Sequence, residues 1–142
     1  MTASLFHDAS RAGVFHLPTQ RRNAIEKAAG AVRMKLSRVV ISHSTDSEGV
    51  LRQLGLALAF PDWYGANLDA LHDCLTDPDW QPASGQILLI EGLQDLRSAD
   101  PEGFSALVEV FQSAAEIDRD AGRPLWVLLD TPAADLPLLP DQ

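Results

Sequence analysis

The sequence predicts an α/β fold, a small and mainly parallel β-sheet flanked by helices. Two short apolar runs, residues 87–90 and 125–129, are too uniform for amphipathic helices and are typical of strands buried on both faces of a sheet. Segments with helical periodicity separate these runs from each other and from a β-branched run at residues 39–41. Strands that alternate with helices favour parallel pairing through helical crossovers.

The first elements follow from local signals. Residues 1–12 look loose and polar, residues 13–17 predict a short strand, and the alanine-rich residues 21–31 predict a helix. Residues 39–41 predict the next strand. The helix after that strand has acceptable N-caps and apolar residues at helical spacing: Thr45, Asp46 and Ser47, then Val50, Leu51, Leu54 and Leu58.

Two further helices and a tail complete the chain. Asn67 is a favourable N-cap, and the helix that it begins has an apolar stripe of Leu68, Leu71 and Leu75. A longer helix is predicted from Asp100 to Gly122, between the two apolar strands. Residues 131–142 contain three prolines and no periodic pattern, and they predict a tail.

Length and composition are those of one globular domain. The chain has 142 residues, of which 46% are hydrophobic and 22% are charged, which argues against disorder throughout. Its apolar runs are far shorter than the ~20 residues of a membrane helix, and its start does not have the pattern of a signal peptide. A single cysteine, Cys74, excludes an internal disulfide framework. We therefore expect a cytoplasmic protein that does not bind a membrane.

The formal charge of −9 is distributed unevenly along the chain. Residues 1–59 carry 8 Lys and Arg against 4 Asp and Glu, a net of +4. Residues 60–104 carry Arg97 against 9 Asp and Glu, a net of −8. Such a region repels phosphate and attracts basic surfaces, so we expect no direct nucleic-acid binding. A solvated acidic face that aids solubility is the alternative explanation.

The helix after Asn67 has an acidic face opposite its leucines. Asp69, His72, Asp73 and Thr76 fall at i, i+3, i+4 and i+7, so they share one side of the helix. The helix dipole favours a carboxylate in the first turn and therefore accounts for Asp69. It does not account for Asp73, which lies four residues from Asp69, a spacing at which like charges mildly destabilise a helix. Three interpretations stay open: a solvated face, a metal site of Asp69, His72 and Asp73, and a docking surface whose carboxylates replace phosphates in a basic cleft.

The sequence contains none of the common catalytic motifs. It has no Gly-rich phosphate loop, no nucleophile elbow and no paired-cysteine metal signature. Cys74 lies beside the leucine stripe, where a buried structural role is expected. We therefore expect no catalytic residue, no cofactor and no metal, and a protein that is not an enzyme.

Residues 60–76, FPDWYGANLDALHDCLT, resemble the hallmark segment of the barstar family, the intracellular inhibitors of secreted barnase-like ribonucleases. The match has no gap and includes Pro61, Tyr64, Gly65, residues 67–71 and residues 73–76. A weaker resemblance covers residues 39–130. Residues 1–38 are similar to the added βα unit of longer barstar-like bacterial proteins.

The resemblance implies a domain organisation and a binding site. Residues 39–130 would form a barstar-like domain with three strands, residues 1–38 would pack on it and add a fourth strand, and residues 131–142 would be the tail. In the family, the hallmark helix and the loop before it plug the ribonuclease active site, with Asp73 in place of a substrate phosphate and Asp69 beside it. The implied partner-binding residues are Trp63, Gly65, Asn67, Leu68, Asp69, His72, Asp73 and Thr76.

This chain departs from the family pattern at three contact positions. The founding member has tryptophan at the position of His72, tyrosine at that of Trp63, and a contacting glutamate at that of Ser113. The expected partner is therefore a basic ribonuclease or a ribonuclease-like toxin whose identity the sequence leaves open. The alternative is a barstar-fold binding module for a partner that is not a ribonuclease. We expect a monomer when the partner is absent.

Overall fold

Four parallel strands form a single sheet in this protein. The computed structural model describes residues 2–42, 46–82 and 84–141. The strands are β1 (Val14–His16), β2 (Lys35–Val40), β3 (Gln86–Glu91) and β4 (Leu125–Leu129). They lie in the order β1-β4-β3-β2, and every neighbouring pair is parallel. The predicted α/β class is thus confirmed, including a fourth strand from the N-terminal segment.

Helices cover both faces of the sheet. They are α1 (Thr2–His7), α2 (Arg22–Ala31), α3 (Ser47–Ala57), α4 (Leu68–Leu75), α5 (Gln94–Ala99) and α6 (Pro101–Asp120). Two short 3-10 helices, Ala9–Arg11 and Thr19–Arg21, precede β1 and α2. Of the N-caps expected for α3, Asp46 takes this position and accepts a hydrogen bond from the Gly49 N–H at 2.7 Å. Thr45 lies outside the described residues.

The central strands carry two separate hydrophobic cores because their side chains alternate between faces. Along β3, Leu88 and Ile90 belong to the larger core, which contains the apolar sides of α3, α4, α5 and α6. Ile87 and Leu89 belong to the smaller core, which contains residues of α1 and α2. All six residues of β3 are buried, as expected of a strand covered on both faces.

Two helices lie where the sequence indicates no element, and one strand is longer than predicted. The interpretation of residues 1–12 as loose is wrong for α1, since its Leu5 and Phe6 are buried and the Phe6 ring meets Trp126 edge to face. Helix α5 is likewise not predicted from the sequence, and its Leu96 is also buried. Such short helices show no periodicity. Strand β2 begins at Lys35, not at residue 39, because it pairs with the whole of β3.

The C-terminal segment packs against the outer edge of the sheet. The His16 N–H donates to the Pro137 carbonyl at 2.9 Å, and the Leu139 N–H donates to the His16 carbonyl at 3.0 Å. Leu136 and Leu139 are buried, and the Arg21 guanidinium donates to the Leu139 carbonyl at 2.5 Å. The segment therefore covers backbone groups of β1 that would otherwise form an open sheet edge.

Part of the basic N-terminal charge is paired within the chain. Arg22 and Arg38 both form ion pairs with Glu91, at 3.2 Å and 2.8 Å, and the Glu91 side chain is only 9% exposed. These contacts join α2 and β2 to the end of β3. Within the described residues, no helix combines the length and the apolar composition that a membrane crossing requires.

Candidate functional site

One side of helix α4 packs in the hydrophobic core, and the opposite side faces solvent. Asn67 has extended backbone angles, and its side chain accepts a hydrogen bond from the Ala70 N–H at 2.8 Å, which satisfies a donor of the first turn. Ala70, Leu71, Cys74 and Leu75 are buried. The opposite side of the helix is thereby turned toward solvent in a fixed orientation.

Asp69 and Asp73 lie one turn apart on the displayed side, and both are exposed. Within the described parts of the chain, neither carboxylate forms an ion pair or a hydrogen bond with a side chain. Two like charges at this spacing cost the helix about 0.2–0.5 kcal/mol. The helix dipole offsets this cost for Asp69, which lies in the first turn, but not for Asp73. Both carboxylates are thus available to a basic surface.

His72 connects α4 to α6. Its Nε2 lies 3.0 Å from the Ser113 hydroxyl, and the imidazole is partly buried. Two of the three positions at which this chain departs from the resemblance, His72 and Ser113, are therefore in direct contact. The sequence alone indicates no such contact, because the two residues are 41 positions apart.

Thr76 and Leu68 mark the two ends of the helix. The Thr76 hydroxyl donates to the His72 carbonyl at 2.8 Å, so toward a partner this oxygen can only accept hydrogen bonds. Leu68 is partly buried against the main core, and it borders an open groove of about 840 Å³ between α3 and the start of α4. Glu48 and Arg52 of α3 form an ion pair at the rim of this groove.

The loop before α4 is held by an aromatic side chain that the predicted site did not include. The Tyr64 hydroxyl donates to the Leu51 carbonyl at 2.7 Å, and its ring packs edge to face on Phe60 at 4.9 Å. A Cβ on Gly55 would lie 2.5 Å from the Tyr64 ring, so only glycine leaves room for this side chain. Tyr64 belongs to the hallmark segment, which is the signal that could have identified it. Its burial raises the pKa of its hydroxyl.

Trp63 and Gly65 are the exposed parts of this loop. Trp63 is 55% exposed, and few other large apolar residues in the described part of the chain are exposed. A Cβ on Gly65 would lie 3.0 Å from the Asn67 amide nitrogen, so the glycine leaves space for the helix cap. The loop ends at Ala66, whose φ of 53° lies in the left-handed region. The chain therefore enters α4 through a strained residue directly before the cap.

The structure gives no support to catalysis or metal binding at this helix. Cys74 is fully buried, and burial, reinforced by Asp77 and Asp73, raises the pKa of its thiol to about 11, which is unsuited to a nucleophile. Among the described residues, no group of three or more His, Cys, Asp or Glu side chains is placed to hold a metal ion. The alternative of a metal site at Asp69, His72 and Asp73 is therefore not favoured.

Part of the chain matches the model of a known protein family. A family model described as Barstar (barnase inhibitor) matches residues 34–130, which include all of α4, the loop before it and strands β2, β3 and β4. A comparison with curated proteins finds no match. The family resemblance of residues 60–76 is thus confirmed, and β1 and α2 lie outside the matched region.

Proposed function

We propose, because this chain belongs to the barstar family, that it binds and blocks the active site of a basic barnase-like ribonuclease or a related toxin. Asp73 is the central anchor of this surface, and Asp69 supports it. The protein carries out no reaction of its own, acts in the cytoplasm and is a monomer until it meets its partner.

One observation carries the proposal: Asp69 and Asp73 are exposed and unpaired within the described chain, on a helix whose other side is fixed in the core. A ribonuclease site holds the phosphates of RNA with basic side chains. Carboxylates presented at fixed positions can take the place of those phosphates through charge-assisted hydrogen bonds. Because the helix is already ordered, little conformational entropy is lost on binding.

The neighbouring residues complete the surface. Trp63 offers an exposed aromatic contact, Gly65 and Asn67 shape the loop, and Leu68 provides an apolar edge. His72 is oriented by Ser113, and Thr76 offers a hydrogen-bond acceptor. These contacts surround the two carboxylates and would exclude water from them in a complex.

The Asp73→Asn variant tests the anchor, since it removes the charge and keeps the shape. Loss of one partner from a buried interfacial charge pair typically costs about 2–5 kcal/mol, a range that draws in part on the founding complex of this family. We therefore expect inhibition of barnase-type ribonucleases to weaken by a factor of about 30 to 5,000. The free energy of unfolding should rise by at most about 0.5 kcal/mol, because the repulsion between Asp73 and Asp69 is removed. Inhibition constants and melting temperatures measure the two effects.

The matched control is Asp95→Asn, which removes an exposed carboxylate from α5. It should leave the inhibition constant unchanged. Equal inhibition by Asp73→Asn and the parent would contradict the anchor role, and so would a variant that fails to fold.

A second candidate is a binding module for a partner that is not a ribonuclease. It is favoured by the His72–Ser113 contact, which occupies the two positions where the family's founding member has tryptophan and glutamate. Such a module would still use Asp73. Binding that depends on Asp73 with no inhibition of any ribonuclease would select this candidate.

A further inference from the structure

A shallow groove of about 360 Å³ lies beside the loop that carries Trp63. Its lining consists of Ala59, Pro61, Trp63, Asp77, Asp79 and Trp80. Of these, only Trp63 belongs to the binding set that the sequence predicts. The groove combines aromatic walls with carboxylates, which is a different chemistry from that of the acidic face of α4.

The wall formed by Trp80 is rigid. Its indole N–H donates to the Leu58 carbonyl at 3.0 Å, and its ring packs edge to face on Phe60 at a centroid distance of 5.0 Å. Trp63, by contrast, is 55% exposed. One fixed and one exposed indole thus border the same space.

The two carboxylates follow the C-terminus of α4. One Asp77 oxygen accepts a hydrogen bond from the Asp79 N–H at 2.9 Å, and within the described residues neither carboxylate forms an ion pair. The C-terminus of a helix carries partial negative charge, so it adds to the charge of these residues. The groove is therefore a region of negative potential between apolar walls.

We propose that this groove holds the guanidinium group of an arginine side chain from the partner. This inference rests on the proposed function, because Trp63 joins the groove to the loop that precedes α4. A guanidinium is planar and weakly hydrated, so it can stack on an indole while its N–H groups donate to Asp77 and Asp79. The compact and strongly hydrated ammonium of lysine fits an indole wall less well.

The groove can be tested without the partner. The probe is N-acetylarginine amide, titrated into the labelled protein while the indole N–H signals are followed by NMR. The signals of Trp63 and Trp80 should shift, and that of Trp126, which is fully buried, should not. N-acetyllysine amide should bind more weakly, and the neutral citrulline analogue should cause no shift.

The double variant Asp77→Asn/Asp79→Asn should abolish these shifts, whereas Asp95→Asn on α5 should retain them. Equal shifts with the citrulline analogue, or shifts that survive the double variant, would overturn the proposal. Concentration-dependent shifts of the same indoles without any probe would also overturn it, since they would identify a second copy of this chain as the occupant.

With a ribonuclease that the protein inhibits, the double variant should weaken binding by about 2- to 30-fold, the effect of losing two ion pairs at a partly exposed site, and Asp95→Asn should not. If Asp73→Asn weakens binding and the double variant does not, the inference fails while the proposed function stands. If the arginine probe binds in the groove but no ribonuclease is inhibited, the proposed function fails and the guanidinium site is supported.

Discussion

Single residues decide how the loop before α4 is placed. Gly55 lies in α3 and leaves room for the Tyr64 ring, whose hydroxyl is bound to the Leu51 carbonyl. A side chain at position 55 would push the aromatic ring away and break that hydrogen bond. The position of Trp63 and Gly65 thus depends on Gly55, which lies outside the predicted set of binding residues.

Gly55→Ala should destabilise the protein by about 1–3 kcal/mol, the usual effect of an overpacked site. It should also weaken partner binding, because Tyr64 can no longer hold the loop. Urea unfolding measures the stability, and an inhibition assay measures the binding.

Gly30→Ala is the matched control. Position 30 lies in α2 and has no atom within 4 Å of an added Cβ, so the same change should stabilise the protein by about 0.5–1 kcal/mol through helix propensity. If both variants change the free energy of unfolding in the same direction, the steric role that we assign to Gly55 is contradicted.

At the scale of elements, a buried polar cluster ties the end of α6 to the start of β3. Asp118 is fully buried, accepts a hydrogen bond from the Gln81 amide at 3.0 Å and lies 3.5 Å from Arg123. Gln86 of β3 donates in turn to Gln81. Burial raises the Asp118 pKa to about 6, although Arg123 and the hydrogen bonds act in the opposite direction.

This pKa predicts an unusual pH dependence of stability. The folded pKa of Asp118 lies above its unfolded value of 3.8, so its contribution is complete below pH 3.8 and is lost as the pH rises through 6. Asp118→Asn should remove this loss, so that the stability difference between variant and parent changes between pH 4 and 7. Denaturant titrations across that range measure it.

Asp120→Asn serves as the comparison at the same end of α6, because Asp120 is exposed. It should leave the pH profile of unfolding unchanged. If the free energies of unfolding of Asp118→Asn and of the parent vary with pH in the same way, the pKa of the Asp118 carboxyl is not raised in the folded protein.

At the scale of the molecule, charge is separated along the chain. Basic residues of the N-terminal segment pair with Glu91 and, through Arg21, with Asp141, while Asp69 and Asp73 remain unpaired among the described residues. The net charge of −9 therefore creates a negative potential around the protein, which attracts positively charged surfaces over several ångströms.

Association with a basic ribonuclease should accordingly slow as salt is added. We expect the association rate constant to fall by about tenfold or more between low salt and 0.5 M salt, because the Debye length drops to a few ångströms. The dissociation rate constant should change much less. Stopped-flow measurements over this range separate the two constants, and a salt-independent association rate would argue against electrostatic steering.

The sequence by itself determined the parallel α/β class, the cap and faces of α4 and the family segment, because these depend on residues within a few turns of one another. Tertiary structure decided the features made by distant residues. Helix α1 depends on Trp126, His72 meets Ser113, and Trp63 and Trp80 enclose one groove. Nothing in the sequence distinguishes Asp118 from an exposed carboxyl, and only its contacts with Gln81 and Arg123 in the folded chain show that it is buried. Periodicity reports which side of an element is apolar, but not which distant side chain will cover it.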